Sequence, residues 1–484
     1  MGKKSFPHTP HPLISPSPHP LISPSPKFMN SPVYQTVILG GGFTGLFTAL
    51  NLAHEHYPRS VILIDKDEHF CFKPLLYEYF DGEMDTFQVV PRFSELLRGS
   101  GVIFVQDTVQ SIDLHQQQVQ LASGDSYKYS NLVLALGSIT GYHGVEGAKE
   151  NAFPFWTRAD AIALDRHLRE CFQKALKTED AEQRQKLLTV VVVGGGASGV
   201  EMAATLADFL PHWYGALGGN ASEIRVIILN HGQKILDGDI NDPLRPIAEN
   251  ELQKRTLPIE IIKGAEATAV RQNAVEYKSN NQVNTLPTYT TIWTAGTSVH
   301  PLIQNLPIPQ ENRDRHNRLL VTYNMQLLDF PEVFAGGDCA AVRDNSLPPT
   351  AQVAYQQGAN IANNLKAIAT GEDPKPLRVN IRGTLLKLGL NDAAANLFNA
   401  FEVVGEPAHL IRQATYLTLL PTPIHDFKAT TEWLDEEIFH HHLDPQDTGK
   451  KVVQAVELVG AGVVSVLVAR KLLRMLGEKD KREE

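Results

Sequence analysis

The sequence predicts an α/β protein with two Rossmann-like dinucleotide-binding domains, and the main observation is a pair of glycine-rich loops. Residues 40–45 read Gly-Gly-Gly-Phe-Thr-Gly after the apolar run 36–39, and residues 194–199 read Gly-Gly-Gly-Ala-Ser-Gly after the apolar run 190–193. In the order strand, G-x-G-x-x-G, helix, the first glycine makes a tight turn, the second admits a pyrophosphate and the third packs helix against strand. The predicted nucleotide-binding glycines are Gly40, Gly42, Gly45, Gly194, Gly196 and Gly199.

Two such loops in one chain indicate two bound dinucleotides, most simply a flavin and its nicotinamide reductant. The strand after the first loop, 61–64, ends at Asp65, 20 residues after Gly45. This is the spacing of a carboxylate that accepts hydrogen bonds from ribose hydroxyls. A buried strand is also predicted to end at Gly137, which would face the nucleotide. We therefore expect an FAD-binding domain formed by residues 33–155 and 287–375.

The second loop predicts a nicotinamide-binding domain over residues 156–286. Its next strand, 224–229, ends at Asn230, where an acid would repel the 2′-phosphate of NADPH. The neutral amide removes that repulsion, but no arginine follows it directly. Use of both NADH and NADPH is therefore expected. The run 291–296 is predicted to return the chain to the first domain and to end at another nucleotide-facing glycine, Gly296.

Length and composition agree with a large globular enzyme. The chain has 484 residues, 43% of them hydrophobic, and a formal net charge of −10. The negative charge argues against nucleic acid as a partner, because no positive field would attract phosphates. Cys71, Cys171 and Cys339 are widely scattered, which argues against a disulfide framework and for a reducing compartment. No metal site is predicted, because the consecutive histidines 440–442 would point in different directions on a helix.

The two ends of the chain differ from the rest. The octapeptide His-Pro-Leu-Ile-Ser-Pro-Ser-Pro occurs at 11–18 and again at 19–26, and proline at this density predicts disorder over residues 1–32. Met29 offers an alternative start, and no function is expected before it.

The region 376–484 has a mixed pattern with no clear fold, apart from an apolar stretch at 452–469 followed by basic residues. It predicts a membrane-associating helix near 452–476 that lies at the lipid surface. The alternative is a helix that packs on the protein's own core or in a homodimer interface. No other stretch resembles a transmembrane span.

Three further motifs identify a family. They are Phe-Ala-Gly-Gly-Asp at 334–338, Ala-Gln-Val-Ala-Tyr-Gln-Gln-Gly at 351–358, and Gly-Val-Glu at 199–201. Over about 33–390 the sequence resembles the type II NAD(P)H:quinone oxidoreductases. The resemblance implies that Gly337 and Asp338 bind the flavin and that Glu201 lies where nicotinamide and flavin meet. It implies a quinone site made of Ala351, Gln352, Ala354, Gln356 and Gln357.

Within that family, residues 72–78 (Phe-Lys-Pro-Leu-Leu-Tyr-Glu), Gly82-Glu83 and 91–93 resemble a plastid and cyanobacterial subgroup. Members of this subgroup reduce prenylated quinones, including demethylphylloquinone. The resemblance implies a peripheral membrane protein on the cytoplasmic face, at the thylakoid or plasma membrane in a cyanobacterium.

The chemistry expected from these residues is hydride transfer from NAD(P)H to flavin and then reduction of a quinone. Gln352 and Gln356 are four residues apart, so on a helix both face the same way and could bind a quinone carbonyl. Glu201 is a candidate for positioning nicotinamide or assisting proton uptake, or else for a salt bridge. Two alternatives stay open, namely a sulfide:quinone oxidoreductase-like flavoprotein and a non-catalytic redox-sensing flavoprotein. The first would need paired redox cysteines.

Overall fold

The computed structural model describes residues 35–238, 244–345, 347–381, 383–398, 400–417 and 419–422. The predicted disorder of 1–32 and the predicted helix near 452–476 both lie outside these residues. Within them, no helix is long and apolar enough to cross a membrane.

Most of the described chain is organised in short strands connected by helices. The strands are β1 Gln35–Leu39, β2 Ser60–Asp65, β3 Ile103–Gln106, β4 Val109–Asp113, β5 Gln118–Leu121, β6 Ser126–Lys128, β7 Asn131–Leu134, β8 Ser138–Thr140, β9 Phe153–Pro154, β10 Thr189–Val193, β11 Arg225–Asn230, β12 Glu260–Lys263, β13 Glu266–Arg271, β14 Ala274–Ser279, β15 Gln282–Pro287, β16 Thr290–Trp293, β17 Thr297–Val299, β18 Leu319–Val321, β19 Val333–Ala335, β20 Ala340–Val342, β21 Gly383–Gly389, β22 Asp392–Leu397 and β23 Phe401–Gly405. The helices are α1 Phe43–His54, α2 Leu76–Asp81, α3 Thr86–Val89, α4 Phe93–Leu96, α5 Ala148–Asn151, α6 Arg158–Lys177, α7 Ala181–Leu188, α8 Ala197–Ala216, α9 Leu244–Gln253, α10 Pro301–Gln304, α11 Ala351–Thr370 and α12 Glu406–Leu417.

The first sheet is parallel and has the strand order β19-β7-β1-β2-β3. Its central strands β1 and β7 are mainly apolar and almost entirely buried, which is typical of a parallel sheet covered by helices. The first glycine loop joins β1 to α1 at the carboxyl edge of this sheet. The predicted α/β class and the strand that ends at Asp65 are confirmed.

The second sheet is also parallel, with the order β12-β11-β10-β16-β9. Its membership corrects both predicted boundaries of the second domain. β16 pairs with β10, so residues 290–293 belong to the second sheet and the chain does not return to the first one at 287. β9 pairs with β16, so the second sheet already includes 153–154. The chain passes between the sheets through β8 and β17, which pair as a two-stranded antiparallel ribbon.

Within the region after 376, the described residues 383–417 form regular secondary structure, contrary to expectation. β21, β22 and β23 form an antiparallel sheet, which packs on α8 through β21 and on α12 through β22. Alanines at 393–395 form the middle of β22 and are buried. Because alanine has a low strand propensity and gives no apolar alternation, the sequence pattern did not reveal this sheet.

Candidate active site

The first glycine loop forms an open backbone cradle. A Cβ atom at Gly45 would overlap the carbonyl oxygen of Gly40, so only glycine lets α1 approach β1 this closely. Gly40 itself has a φ of +96°, which a side chain would strain. In contrast, a Cβ added at Gly42 would have no described atom within 4 Å. The loop is therefore closely packed at Gly40 and Gly45 and open at Gly42, as a pyrophosphate at a helix N-terminus requires.

Asp65 closes this cradle from the end of β2. Its Oδ2 accepts a 2.5 Å hydrogen bond from the backbone N–H of Gly41, and its Oδ1 accepts one of 2.8 Å from that of Asp67. Burial raises the pKa of the Asp65 carboxyl, and the two N–H donors oppose that rise. The carboxylate therefore lies beside the loop and keeps lone pairs for ribose hydroxyls.

The second loop repeats this backbone. A Cβ atom at Gly199 would overlap the carbonyl oxygen of Gly194, as at the corresponding pair in the first loop. Gly194 has a φ of +113°, and Gly196 is the extended N-cap residue of α8. Thr294 supports the turn, because its hydroxyl donates to the carbonyls of Val193 and Gly194 at 2.9 and 3.2 Å.

Asn230 takes the place of Asp65 at the second loop but is bonded differently. Its Oδ1 accepts from the backbone N–H of Gly195 at 3.2 Å. Its Nδ2 donates to the carbonyl oxygens of Gly232 and Lys234 at 2.8 and 2.9 Å. Both ends of the amide are therefore used to connect the glycine loop to residues 232–234, and no charge is present.

The second predicted flavin motif lies against the carboxyl end of β7. The Ser138 hydroxyl, directly after Gly137, donates to Asp338 Oδ2 at 2.8 Å. Gly337 has a φ of +73°, and its N–H donates to Gln357 Oε1 at 2.7 Å. Gly137 also has a positive φ, of +63°, with open space where a Cβ would lie. These residues meet above the first sheet, where the predicted flavin would bind.

The helix with the predicted quinone signature, α11, packs directly on α1. The Thr44 hydroxyl donates to the carbonyl of Ala354 at 3.1 Å, and that of Thr48 donates to the carbonyl of Gly358 at 3.2 Å. A Cβ at Gly358 would lie 2.5 Å from the carbonyl oxygen of Thr44, so glycine is needed for this approach. Ala354 and Gly358 therefore lie against α1, and Gln357 lies against Gly337.

The two glutamines singled out for a quinone carbonyl lie on another side of α11. Gln356 exchanges two hydrogen bonds with Asn380, donating to its carbonyl at 3.1 Å and accepting from its N–H at 2.9 Å. It also donates to the carbonyl of Gln352 at 2.8 Å. The Gln356 side chain thus connects α11 to the backbone of Asn380, in the segment that precedes β21. Ala351 is the first residue of α11, next to the N-cap Thr350.

Glu201 lies in α8 and is buried where β21 and α12 meet that helix. Its Oε1 accepts a 2.8 Å hydrogen bond from the backbone N–H of Lys387 and lies 3.8 Å from Arg412 Nη2. Burial raises the pKa of Glu201 to about 7, and Arg412 opposes this rise. A carboxyl with such a pKa can take up or release a proton near neutral pH.

Several residues of this region were missed by the sequence reasoning. Lys73 Nζ lies 3.5 Å from the centre of the Trp156 ring, and burial lowers the pKa of this amine to about 8, with Asp338 opposing the shift. Lys387 and Arg412 gave no signal, since single basic residues in a strand and a helix usually face solvent. Gly296, in contrast, was predicted to face the nucleotide. It has a φ of +84°, and its carbonyl oxygen accepts from the N–H of Gly141, beside the ribbon that joins the sheets.

The cysteines are all free. Cys339 is buried, and its Sγ lies 3.4 and 3.3 Å from the carbonyl oxygens of Leu134 and Gly336. Burial raises the pKa of the Cys71 and Cys339 thiols to about 11 in each case. Neither thiol is a ready nucleophile, because the thiolate is disfavoured.

Two parallel sheets with matching glycine loops, joined by one ribbon, define a flavoprotein of the two-dinucleotide class, and known proteins agree. Residues 34–358 match the pyridine nucleotide-disulphide oxidoreductase family. The demethylphylloquinone reductase NdbB of Synechocystis is 35% identical over 82% of this chain and 95% of its own length. The alternative NAD(P)H-ubiquinone oxidoreductase C1 of Arabidopsis thaliana is 30% identical over 82% of this chain and 79% of its own.

A solved structure gives the same result for the fold. NDH2 of Plasmodium falciparum in complex with NADH superposes with a TM-score of 0.76 at 19% identity, covering 84% of this chain and 98% of that one. The chain belongs to the type II NAD(P)H:quinone oxidoreductases within the pyridine nucleotide-disulphide oxidoreductase family.

Proposed function

We propose that this protein is an FAD-dependent oxidoreductase that passes a hydride from NADH or NADPH through the flavin to a membrane quinone, without pumping protons. The observation that carries the proposal is the direct packing of α11 on α1. The quinone-signature helix bonds to the flavin-loop helix through Thr44 and to the second flavin motif through Gln357. A quinone held at α11 would therefore lie beside the flavin.

The chain's own residues supply binding, positioning and proton handling. In the first domain, Gly42 would admit the FAD pyrophosphate, and Gly45 lets α1 approach β1. Asp65 would bind the ribose and Asp338 the ribityl chain. In the second domain, Gly196 would admit the NAD(P)H pyrophosphate, and Gly199 lets α8 approach β10. A bound flavin would supply the redox chemistry, taking up two electrons as a hydride from NAD(P)H and passing them to the quinone.

The substrates we propose are a prenylated naphthoquinone such as demethylphylloquinone, or plastoquinone. The support is the name of the Synechocystis relative, a demethylphylloquinone reductase, together with its 95% coverage. Because such quinones reside in lipid, we propose a peripheral protein on the cytoplasmic face of a membrane, attached through the helix near 452–476. A homodimer through the same helix is the alternative.

The sulfide:quinone alternative is less well supported by the cysteines. Paired redox cysteines would have to lie at the flavin, yet Cys71 and Cys339 have thiols with raised pKa values and Cys171 lies in α6, where its Sγ is 3.4 Å from His167. The second glycine loop, which a sulfide oxidase does not need, is complete.

The proposal is tested by steady-state kinetics of the full-length purified protein. We expect bound FAD, and oxidation of both NADH and NADPH that depends on added demethylphylloquinone or decyl-plastoquinone. Sulfide in place of NAD(P)H is the control and should give no quinone reduction. Bound flavin without turnover on any quinone would instead favour the redox-sensing alternative, and sulfide-dependent turnover would favour the other one.

A further inference from the structure

A fully buried lysine lies in the region between α2, α8 and the antiparallel sheet formed by β21, β22 and β23. Lys387 of β21 has no exposed side-chain surface, and its Nζ lies 2.8 Å from both Asp81 Oδ2 and Glu83 Oε2. Glu78 Oε1 is 3.5 Å away. Three carboxyls from α2 and the turn that follows it thus surround one ammonium group.

The same cluster reaches Glu201. Arg412 of α12 forms an ion pair with Glu78 and donates to the carbonyl of Pro74 at 2.7 Å, while its Nη2 lies 3.8 Å from Glu201 Oε1. Lys387 connects the α2 carboxyls to Glu201, because its ammonium group donates to Asp81 and its backbone N–H donates to Glu201. We call these six residues the buried ionic cluster, namely Glu78, Asp81, Glu83, Glu201, Lys387 and Arg412.

The charges in the buried ionic cluster do not balance. It has four carboxyl groups but only two basic groups, and the neighbouring carboxylates raise the pKa of both Lys387 and Arg412 against the effect of burial, so both stay cationic. His409 of α12 is buried beside them and stays neutral, since burial lowers its pKa to about 4. In a low-dielectric interior, four ionised carboxylates against two cations would be costly, so the cluster retains protons.

The retained protons belong to identifiable groups. Burial raises the pKa of Asp81 to about 8, and the nearby Glu83 adds to this rise. Glu201 has a pKa of about 7, also raised by burial. The ion pair with Arg412 and the charge of Lys387 outweigh burial at Glu78 and lower its pKa. The tyrosines that face the cluster, Tyr77 and Tyr416, have raised pKa values and stay neutral.

The polar atoms of the cluster also leave bonding capacity for a proton path. Glu78 Oε2, Glu83 Oε1, Arg412 Nε and both ring nitrogens of His409 are buried and have no hydrogen-bond partner among the described residues. Buried polar atoms of this kind are the places where ordered water binds in proteins. From Asp81 to Glu201, successive charged groups of the cluster are in contact through Lys387, Glu78 and Arg412.

We propose that the buried ionic cluster stores a proton. It supplies this proton, through Glu201, when the quinone is reduced. This inference rests on the proposed function. NAD(P)H, one proton and a quinone give NAD(P)⁺ and a quinol. The hydride brings both electrons and one hydrogen, and the cluster gives up the second hydrogen as a proton, which it regains from solvent.

Asp81→Asn is the main test, because the amide resembles the protonated acid in shape and leaves Lys387 paired with Glu83. We expect quinone turnover at pH 7 to fall by about tenfold or more, with a larger D₂O isotope effect and loss of the pH dependence near neutrality. Ferricyanide accepts electrons without protons, so its reduction by the same variant should be unchanged. Glu83→Gln should act in the same direction, and Asp81→Glu should restore turnover.

Asp392→Asn is the matched control. Asp392 of β22 pairs with Arg255 at 2.5 Å in a second poorly exposed ionic network, and Arg255 would keep Asp208 at 3.1 Å. This variant should lower stability without changing the ratio of quinone to ferricyanide turnover. The inference is overturned if Asp81→Asn and Glu83→Gln keep the wild-type ratio and pH profile. Absence of quinone turnover in the wild type would instead refute the proposed function.

Discussion

The two glycine loops have the same backbone and differ in the side chain that closes them. In both loops the third glycine contacts the carbonyl of the first, and both present an extended glycine at the helix N-terminus. At the first loop the closing residue is Asp65, which bonds Gly41 and the N–H of Asp67. At the second loop it is Asn230, which bonds Gly195 with one end and two carbonyls with the other.

We infer from this difference that the two loops select their nucleotides with different stringency. A carboxylate bonded only by N–H groups keeps its charge and spare lone pairs, so it can bind ribose hydroxyls and reject a phosphate. An amide whose donor end is bonded to the protein's own carbonyls provides neither function. We therefore expect a demanding flavin site and a permissive nicotinamide site in the same molecule.

The largest expected effect comes from the third glycine of each loop. In Gly45→Ala the new methyl group overlaps the Gly40 carbonyl, so the purified protein should lack flavin. In Gly199→Ala the overlap is with Gly194, so flavin should remain while KM for NADH and NADPH rises. Overpacking of about 1–3 kcal/mol predicts changes of about fivefold to about 150-fold. Flavin absorbance per protein and steady-state kinetics measure both, and the opposite pattern would reverse the assignment of the two loops.

A smaller effect is expected from Asn230→Asp. The new carboxylate would face the carbonyl oxygens of Gly232 and Lys234, to which Asn230 Nδ2 now donates, and it would repel a 2′-phosphate. KM should rise for both nucleotides, and about tenfold more for NADPH than for NADH, which corresponds to about 1.4 kcal/mol. Asn230→Ser, which removes the amide without adding charge, is the control and should raise both KM values equally. An unchanged KM ratio in Asn230→Asp would mean that the nucleotide is selected elsewhere.

The loops could be predicted from the sequence because everything that defines them is local. Each strand, glycine turn and helix start lies within about ten residues, and the acid or amide follows at a fixed distance. The domain boundaries could not be predicted in this way. β9 and β16 pair with each other although more than a hundred residues separate them, and no local pattern assigns residues 290–293 to the second sheet.

The buried ionic cluster shows the same limit at the site. Glu78 and Glu83 were noted only as part of a family resemblance, and their partners are remote in sequence. Lys387 and Asp81 are 306 residues apart, and Arg412 and Glu78 are 334 apart. The quinone-signature helix was located correctly, but its division into a face toward α1 and a face toward Asn380 depends on tertiary packing.

The smallest expected effect is a pH dependence of FAD binding, due to Asp65, that NAD(P)H binding at Asn230 should lack. Burial raises the pKa of Asp65, so in flavin-free protein this carboxyl is protonated at a higher pH than an exposed one. Below that pKa the carboxyl must lose its proton before it can accept hydrogen bonds from the flavin ribose, and this ionisation costs more free energy the lower the pH. Flavin affinity should therefore fall by about threefold or more as pH decreases through the pKa. The Asp65→Asn variant should bind flavin more weakly at every pH, with no such trend. Asn230 does not titrate, so it should give NAD(P)H binding no matching dependence. Calorimetric titration of apoprotein with FAD measures the first trend, and a flat profile for the wild type would show that Asp65 stays ionised whether or not flavin is bound.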